Sequence, residues 1–416
     1  MSSLMESMEK KTYQEIASTT QAQTTGAFVG TLNEIRLHEL LRRYSEIDCH
    51  KAGAEQELQA LREEIKNLIE SNRGGATGMH GFIGERVQVS FSNARAVMQG
   101  QEKVYTLIDD NGMTDYLRGN TPIQQKACIS DKALGLTHVV AHSEKYPIFI
   151  RQNGIYQIPR DFYEKYQRFV NMTEEVALKL RKEDLRMWKR VQEFKSAVPE
   201  AKVEPMVVTY DEIQAGAVNG TIDREMAAVE KEYRKQRNAA ENACKPTVQE
   251  GLKVTACSAA LEGIVDGSIS ILEHKQERGS IRDFEKEDWK EIGIDTAKGI
   301  GKGAVRGAAV YAATNVAHVP AGIASATVTG AFGVIENSAR YIKGECSGKE
   351  CAVGIADACA SAAVSAISTE LGRRFIPIPF LGPLIGNAAG TLLYKVAKKP
   401  ILRFFNSIMD AEPCIA

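Results

Sequence analysis

Four residues in the first half of the chain have types and spacing that could hydrolyse a phosphodiester. Asp115 stands in "NGMTDYLRGNTPIQQKA", residues 111–127, where Gln124 and Lys126 follow two apart beyond a Gly-Asn turn; Glu85 precedes them in "GERVQVSFSNARAVMQG". Cutting a phosphodiester needs carboxylates that hold a divalent ion against the scissile phosphate, and a lysine that orients the attacking water or stabilises developing charge. Side chains two apart on a strand share a face, so Gln124 and Lys126 point the same way and both can meet Asp115 across a hairpin. The plainer reading of the same residues is structural, with Asp115 and Lys126 forming a surface ion pair on adjacent strands.

Other groupings are poorer in chemistry. His138 and His142 in "HVVAH" are four apart on a predicted helix, but no Glu follows the first His and no third ligand is identifiable, so they read as a helix face. "GIGKG" around Lys302 lacks the upstream glycine, the following Ser or Thr and the preceding strand that a phosphate loop requires. Neither a Gly-x-Ser-x-Gly elbow nor a His-Glu-x-x-His helix occurs. Trp188 and Trp289 sit in charged segments and read as lids on a helical core.

The elements that must position Asp115, Gln124, Lys126 and Glu85 lie between Met79 and about Arg168. A helix with a stop at Gly100 is followed by short strands in "KVYTLID", "DYLRG" and "TPIQQKACI". A helix in "SDKALGLTHVVAHSEKY" comes next, and then "IFIRQNGIYQIP", which reads as a hairpin turned at Asn153-Gly154. The order is helix, strand, strand, strand, helix, strand.

That order, with Asp115 on one strand, Gln124-x-Lys126 on the next and Glu85 on the preceding helix, resembles the PD-(D/E)XK restriction-endonuclease-like superfamily over residues 79–168. The resemblance implies Asp115 as the metal-binding aspartate and Glu85 as the helix carboxylate. Gln124 takes the second acidic position, contributing an amide oxygen, and Lys126 is the catalytic lysine. Mg²⁺ or Mn²⁺ is the implied cofactor and DNA the implied partner. The departure is Gln124, an uncharged ligand in place of a carboxylate, as in the methyl-directed restriction branch.

Around this core the chain is helical. Residues 1–30, with "STTQAQTTG", are polar and read as a flexible lead-in. Residues 31–75 carry apolar positions at helical spacing, ending in Leu58, Leu61, Ile65 and Leu68; with Gly53 interrupting, they predict a helical hairpin or short coiled coil, either packed on the rest of the chain or self-associating as a homo-oligomer. Residues 169–250 continue the charged helices that begin near 161, split around Pro199–Val208, with charges of both signs that read as a solvated face.

From 251 to 416 small residues take over. Gly299, Gly303 and Gly307, and again Gly382, Gly386 and Gly390, recur every fourth position and line helix faces where a second backbone can come close. No Asp, Glu, Lys or Arg occurs in 307–335 or 375–394, and both windows are long enough to span a bilayer. The first is broken at Pro320 and Gly322, the second is crowded with Pro377, Pro379 and Pro383, and Ala, Gly, Ser, Thr and Asn give little drive for insertion. They read as the buried centre of a soluble helical domain, or as a paired unit that inserts conditionally.

A formal net charge of -1 gives no global attraction to nucleic acid or lipid. Cys49, Cys128, Cys244, Cys257, Cys346, Cys351, Cys359 and Cys414 show no Cys-x-x-Cys pair, and no apolar signal segment opens the chain. Both point to free thiols in a reducing cytoplasm, with peripheral or conditional inner-membrane association through the two windows. The expected fold class is α+β and mostly helical: an N-terminal helical hairpin or coiled coil, a small αβββαβ domain at 76–168 and a large glycine-zipper helical domain. The expected function is a metal-dependent nuclease-type effector of the bacterial genome-defence or mobile-element kind. The alternative is a non-enzymatic, membrane-active, pore-forming or scaffold protein whose α/β domain only recognises a partner.

Overall fold

A computed structural model describes residues 2–72, 75–110, 112–128 and 134–376, and beyond these only 382, 385–387, 389–394 and 397. The chain is α+β and mostly helical, with one five-stranded mixed sheet. It divides into two compact units: Leu40–Ala243, and the segment up to Glu39 joined with Cys244 onward.

In the Leu40–Ala243 unit, the later part of α1 (Ser2–Glu70) packs with α2 (Gly75–Met98). Leu58, Leu61, Ile65 and Leu68 are buried in this unit's main core with Ile83, Val87 and Phe91 of α2. The hairpin expected within 31–75 is absent: α1 runs unbroken through Gly53, where a Cβ would lie 2.9 Å from Val97. Gly53 therefore serves the close approach of α2 rather than a turn, and the a/d stripe is consumed by this unit's own core.

The sheet follows, in the order β1 (Tyr105–Leu107), β2 (Tyr116–Arg118), β3 (Thr121–Gln125), β4 (Ile155–Ile158) and β5 (Lys202–Pro205). The first three strands are antiparallel neighbours, whereas β4 lies parallel to β3 and β5 parallel to β4. Between β3 and β4 the chain crosses over through α3 (Leu136–Lys145) and α4 (Pro147–Arg151). A parallel pair requires such a crossover.

The hairpin expected in "IFIRQNGIYQIP" is thus corrected: Ile148–Arg151 is a helical turn, Asn153 takes a left-handed φ of 58°, and β4 pairs with β3. The helical turn leaves Phe149 fully buried, its ring 5.2 Å from that of His142 and 5.0 Å from that of Tyr156. The connector around Pro199–Val208 also contains a strand unseen in the sequence, β5, whose Pro205 stands at the sheet edge as proline must. Helices α5 (Arg160–Val170), α6 (Glu174–Ala177), α7 (Lys182–Ala197) and α8 (Val218–Ala243) complete the unit. Trp188 is buried and donates Nε1–H to the Met172 carbonyl at 2.9 Å.

The other unit is built from α9 (Val248–Arg278), α10 (Lys286–Asn315), α11 (Ala321–Ile342), α12 (Gly348–Phe375) and the early part of α1. Capping boxes at Thr247/Glu250 and Ser347/Glu350 start α9 and α12. Gly299, Gly303 and Gly307 line the α10 face that meets α9. A Cβ at Gly299 would lie 2.7 Å from the Glu262 carbonyl, and one at Gly303 would collide with the Ser258 carbonyl. Gly382, Gly386 and Gly390 lie in the same way against Gly372 and Ser368 of α12. Pro320 separates α10 from α11, so the window 307–335 is two helices, not one. The three prolines of 375–394 and five of its other residues lie outside the described residues.

The polar lead-in expected at 1–30 is helix. From residue 20 onward its side chains are buried among those of this unit: Thr25 shares a hydrogen bond with Ser258 at 3.0 Å, Thr369 donates to Gln23 at 3.0 Å, and Ser325 donates to the Ala22 carbonyl. Its polarity is matched by small polar residues on the facing helices at Ala22, Gln23 and Thr25, whereas the buried Gln21 Nε2 finds no partner. A buried ion pair, Arg306 with Glu262, joins α10 to α9.

Two stretches are apolar and long enough to cross a membrane by length and composition: one within Val218–Arg278, and α12. The described cysteines, Cys49 to Cys359, are free.

Candidate active site

The site is assembled where β2, β3 and β4 run side by side. The Asp115 N–H donates to the Ile123 carbonyl at 2.9 Å, which extends β2 by one residue and sets Asp115 beside Gln124. Lys126 likewise extends β3, its N–H donating to the Gln157 carbonyl at 2.8 Å. Gln124 is in register with Tyr156 of β4. Asp115, Gln124 and Tyr156 therefore form one row across three strands, with Lys126 one step along the Gln124 face.

Within this row the Gln124 Nε2–H donates to Asp115 Oδ2 at 2.6 Å, and the same oxygen accepts the Gln125 backbone N–H at 2.6 Å. The Gln124 side chain is 4% exposed, and its Oε1 has no hydrogen-bond partner in the protein. A buried amide oxygen left unpaired costs on the order of 1–3 kcal/mol, and the adjacent Gln125 Oε1 is buried without a partner as well. Asp115 and Lys126 do not form the plain surface ion pair that was the alternative reading: Asp115 is held by amide donors on β3, and Lys126 acts on it as a neighbouring charge.

Glu85 reaches the site from α2, which is seated on β3 by Gly84. A Cβ at Gly84 would lie 2.5 Å from Gln125 Nε2, a contact that any larger residue would break. Gln125 in turn donates to the Gly81 carbonyl at 3.2 Å. Burial, then the Asp115 charge, pushes the Glu85 carboxyl up to about 8, against the opposing pull of Arg86 and Lys126. Arg86 is itself committed to Asp109 at 3.1 Å. Asp115 is raised as well, chiefly by burial, with Lys126 and its amide donors opposing. Two carboxyls that both resist ionisation so near each other describe a pocket short of positive charge.

The donors fit a divalent ion of the Mg²⁺ or Mn²⁺ type: Asp115, Glu85 and the orphaned Gln124 oxygen are all hard oxygen ligands. Among the described residues no three His, Cys, Asp or Glu side chains cluster so that they could hold a metal ion, and the set here is two carboxylates with one amide oxygen. An open set with places for water and phosphate is what Mg²⁺ commonly takes.

One residue near this face was set aside in the sequence. His142, expected as part of a plain helix face with His138, is 7% exposed, and its Nδ1 lies 2.9 Å from the Tyr156 hydroxyl. Its ring is edge-on to Phe149 and Tyr156. Burial and then the Lys126 charge lower its pKa to about 4, against the pull of a hydrogen bond to the Met113 backbone. The sequence signal was the pairing of "HVVAH" with "GIYQI", which only the parallel β3–β4 register brings together.

Comparison with protein-family models, curated proteins and solved structures finds no match to this chain.

Proposed function

We propose that the Leu40–Ala243 unit is a metal-dependent phosphodiesterase of nuclease type. The observation that carries this reading is the Asp115–Gln124 pair, whose amide bond fixes the carboxylate while leaving a buried oxygen unpaired beside it. The αβββαβ order, with antiparallel β1–β3 and β4 parallel to β3, supports the resemblance to the restriction-endonuclease-like superfamily drawn from the sequence. The genome-defence or mobile-element setting comes from that resemblance, and DNA is the substrate it favours.

In this reading Asp115, Gln124 and Glu85 would hold Mg²⁺ or Mn²⁺, which when bound supplies Lewis-acid stabilisation of phosphate charge and a more acidic water. Lys126, one step along the Gln124 face, orients the attacking water or pairs with charge developing on the phosphate. The elevated pKa of Glu85 means that a cation entering the site displaces a proton from it.

Purified protein incubated with supercoiled and linear DNA, and with RNA, in Mg²⁺ or Mn²⁺ tests the reading. Cleavage that is lost in both Asp115→Ala and Lys126→Ala, each shown to be folded, supports it. Cleavage equal to that of both variants, or none in either metal, removes it.

A second reading draws on α12, which carries an apolar window of 18 residues between charged ends yet leaves Ile367 62% and Phe375 80% exposed. In that reading the helical unit is membrane-active or a scaffold, and the α/β region recognises a partner. Liposome flotation discriminates: recovery of the chain with vesicles, with a phenotype unchanged by Lys126→Ala, favours it.

A further inference from the structure

The helical unit holds a cavity of about 540 Å³, apart from every residue of the phosphodiesterase reading. It lies where the bend between α10 and α11 meets the early part of α1 and the last turns of α12. Gly30, Leu37, Thr314, Ala321, Gly322 and Arg373 are among the residues that line it. A volume of this size accommodates a small organic molecule.

Thr314, on the last turn of α10, is 6% exposed, and its hydroxyl has no hydrogen-bond partner. A helical threonine can satisfy its hydroxyl on the carbonyl four residues back. Thr31, Thr255, Thr296, Thr327 and Thr329 of the same unit do so, at 3.0 Å for Thr31 and 2.8 Å for the others. The Thr314 hydroxyl lines the cavity instead, buried and available.

A second set of donors opens on the same cavity. α11 starts after Pro320, and no side chain caps it. Its bonding begins with the Ala324 N–H on the Pro320 carbonyl at 2.9 Å, so the N–H groups of Ala321, Gly322 and Ile323 have no acceptor within the helix. A helix start of this kind favours an anion. The charged side chains nearby offset one another: Arg373 pairs with Glu34 at 3.2 Å and Glu370 at 2.8 Å, and Arg374 lies 3.7 Å from Glu370. What remains unmatched is a group of donors at the α10–α11 bend, beside apolar walls supplied by Leu37, Val319 and Ile376. Leu37 lines the cavity while remaining 55% exposed.

We propose that this cavity binds a small amphiphile bearing a phosphate or carboxylate. The oxyanion accepts from the Thr314 hydroxyl and the first N–H groups of α11, and the apolar body covers Leu37, Val319 and Ile376. The proposal stands on the helical unit alone and is independent of the phosphodiesterase reading. A free molecule and a lipid headgroup present the same oxyanion chemistry, and the test separates them.

Isothermal titration of the full chain with octyl phosphate, kept below its micelle concentration, is the first experiment. Saturable binding of one molecule per chain is expected. Octanol lacks the charge and inorganic phosphate lacks the apolar body, so each should bind at least about tenfold more weakly. Thr314→Val keeps the shape and removes the hydroxyl; it should also bind about tenfold more weakly, yet melt no lower than the wild type, because that hydroxyl bonds to nothing in the protein itself. Pro320→Asp supplies a carboxylate of its own to the start of α11 and should lose binding while remaining folded.

Absence of binding, octanol binding as tightly as octyl phosphate, or wild-type affinity in both folded variants overturns the proposal. Flotation with phosphatidylcholine vesicles, with and without phosphatidic acid, then assigns the source of the oxyanion. Capture that requires phosphatidic acid and is lost in Pro320→Asp identifies a lipid headgroup; octyl phosphate binding without such capture identifies a free molecule.

Discussion

Gln124 and Asp115 are joined by an amide-to-carboxylate hydrogen bond of 2.6 Å that spends the nitrogen of Gln124 and leaves its oxygen buried and unpaired. A glutamine in this position donates to Asp115 without adding charge, and in the proposed function its free oxygen would serve as a ligand to the ion.

Gln124→Glu separates these tasks. It removes the donor from Asp115 and adds a carboxylate next to two that already resist ionisation, so the apo chain should lose about 1–3 kcal/mol. Thermal melts with and without millimolar Mn²⁺ check this. The variant should melt below the wild type in EDTA and gain more from Mn²⁺ than the wild type does. Equal gains would mean that the Gln124 oxygen takes no part in holding the ion.

Glu85 makes stability depend on pH. The folded chain holds its proton up to about pH 8, whereas an ordinary glutamate releases it near 4.5. Between those values the folded state binds more protons than the unfolded one, so stability falls as pH rises through that window. Glu85→Gln should flatten this part of the profile and stabilise the metal-free protein by about 2 kcal/mol at pH 8, a figure reduced for solvent screening of a partly exposed carboxyl. Urea denaturation of both chains at pH 5, 6.5 and 8 measures it; parallel profiles would contradict the assignment.

Gly301 and Gly303 sit on the same helix and should respond oppositely to alanine. At Gly301 a Cβ meets open space, whereas at Gly303 it meets the Ser258 backbone. Gly301→Ala should stabilise by up to about 1 kcal/mol through helix propensity. Gly303→Ala should destabilise by about 1–3 kcal/mol, because backbone cannot move aside as a flexible side chain can. Thermal unfolding of the two variants, side by side, reads the difference in sign.

Arg306 and Glu262 are each at most 4% exposed in their side chains, and they pair across α9 and α10. Arg306→Met alone should cost about 3–5 kcal/mol, since it strands a buried carboxylate. The double variant with Glu262→Leu should recover most of the loss, because two apolar side chains need no partner there. Chemical denaturation of the single and double variants forms the cycle; additive losses would show that the pair is not coupled.

Much of the site region was legible in the sequence because its signals are local. A strand's two-residue period puts Gln124 and Lys126 on one face, a left-handed Gly100 (φ 71°) ends α2, and a short turn at Gly119-Asn120 returns the chain so that β3 pairs with β2. The zipper glycines were legible for the same reason: spacing of four is visible before any partner is known. His142 was not, because its meaning depends on Tyr156, fourteen residues later and on a strand that pairs parallel through a crossover.

What the sequence by itself determined is the class of fold and which neighbouring side chains share a strand face. Gln124 and Lys126 on one face follow from a two-residue period, the grouping of Asp115 and Glu85 with them was an expectation from the resemblance, and a mostly helical α+β class follows from composition and periodicity. The tertiary structure alone decided which polar groups are left without partners and where polar helices are buried. Residues 20–29 look solvated as a string, yet Thr25, Gln23 and Ala22 bond to Ser258, Thr369 and Ser325 hundreds of residues away. Local polarity gives the cost of burying a group; only the facing element determines whether that cost is met.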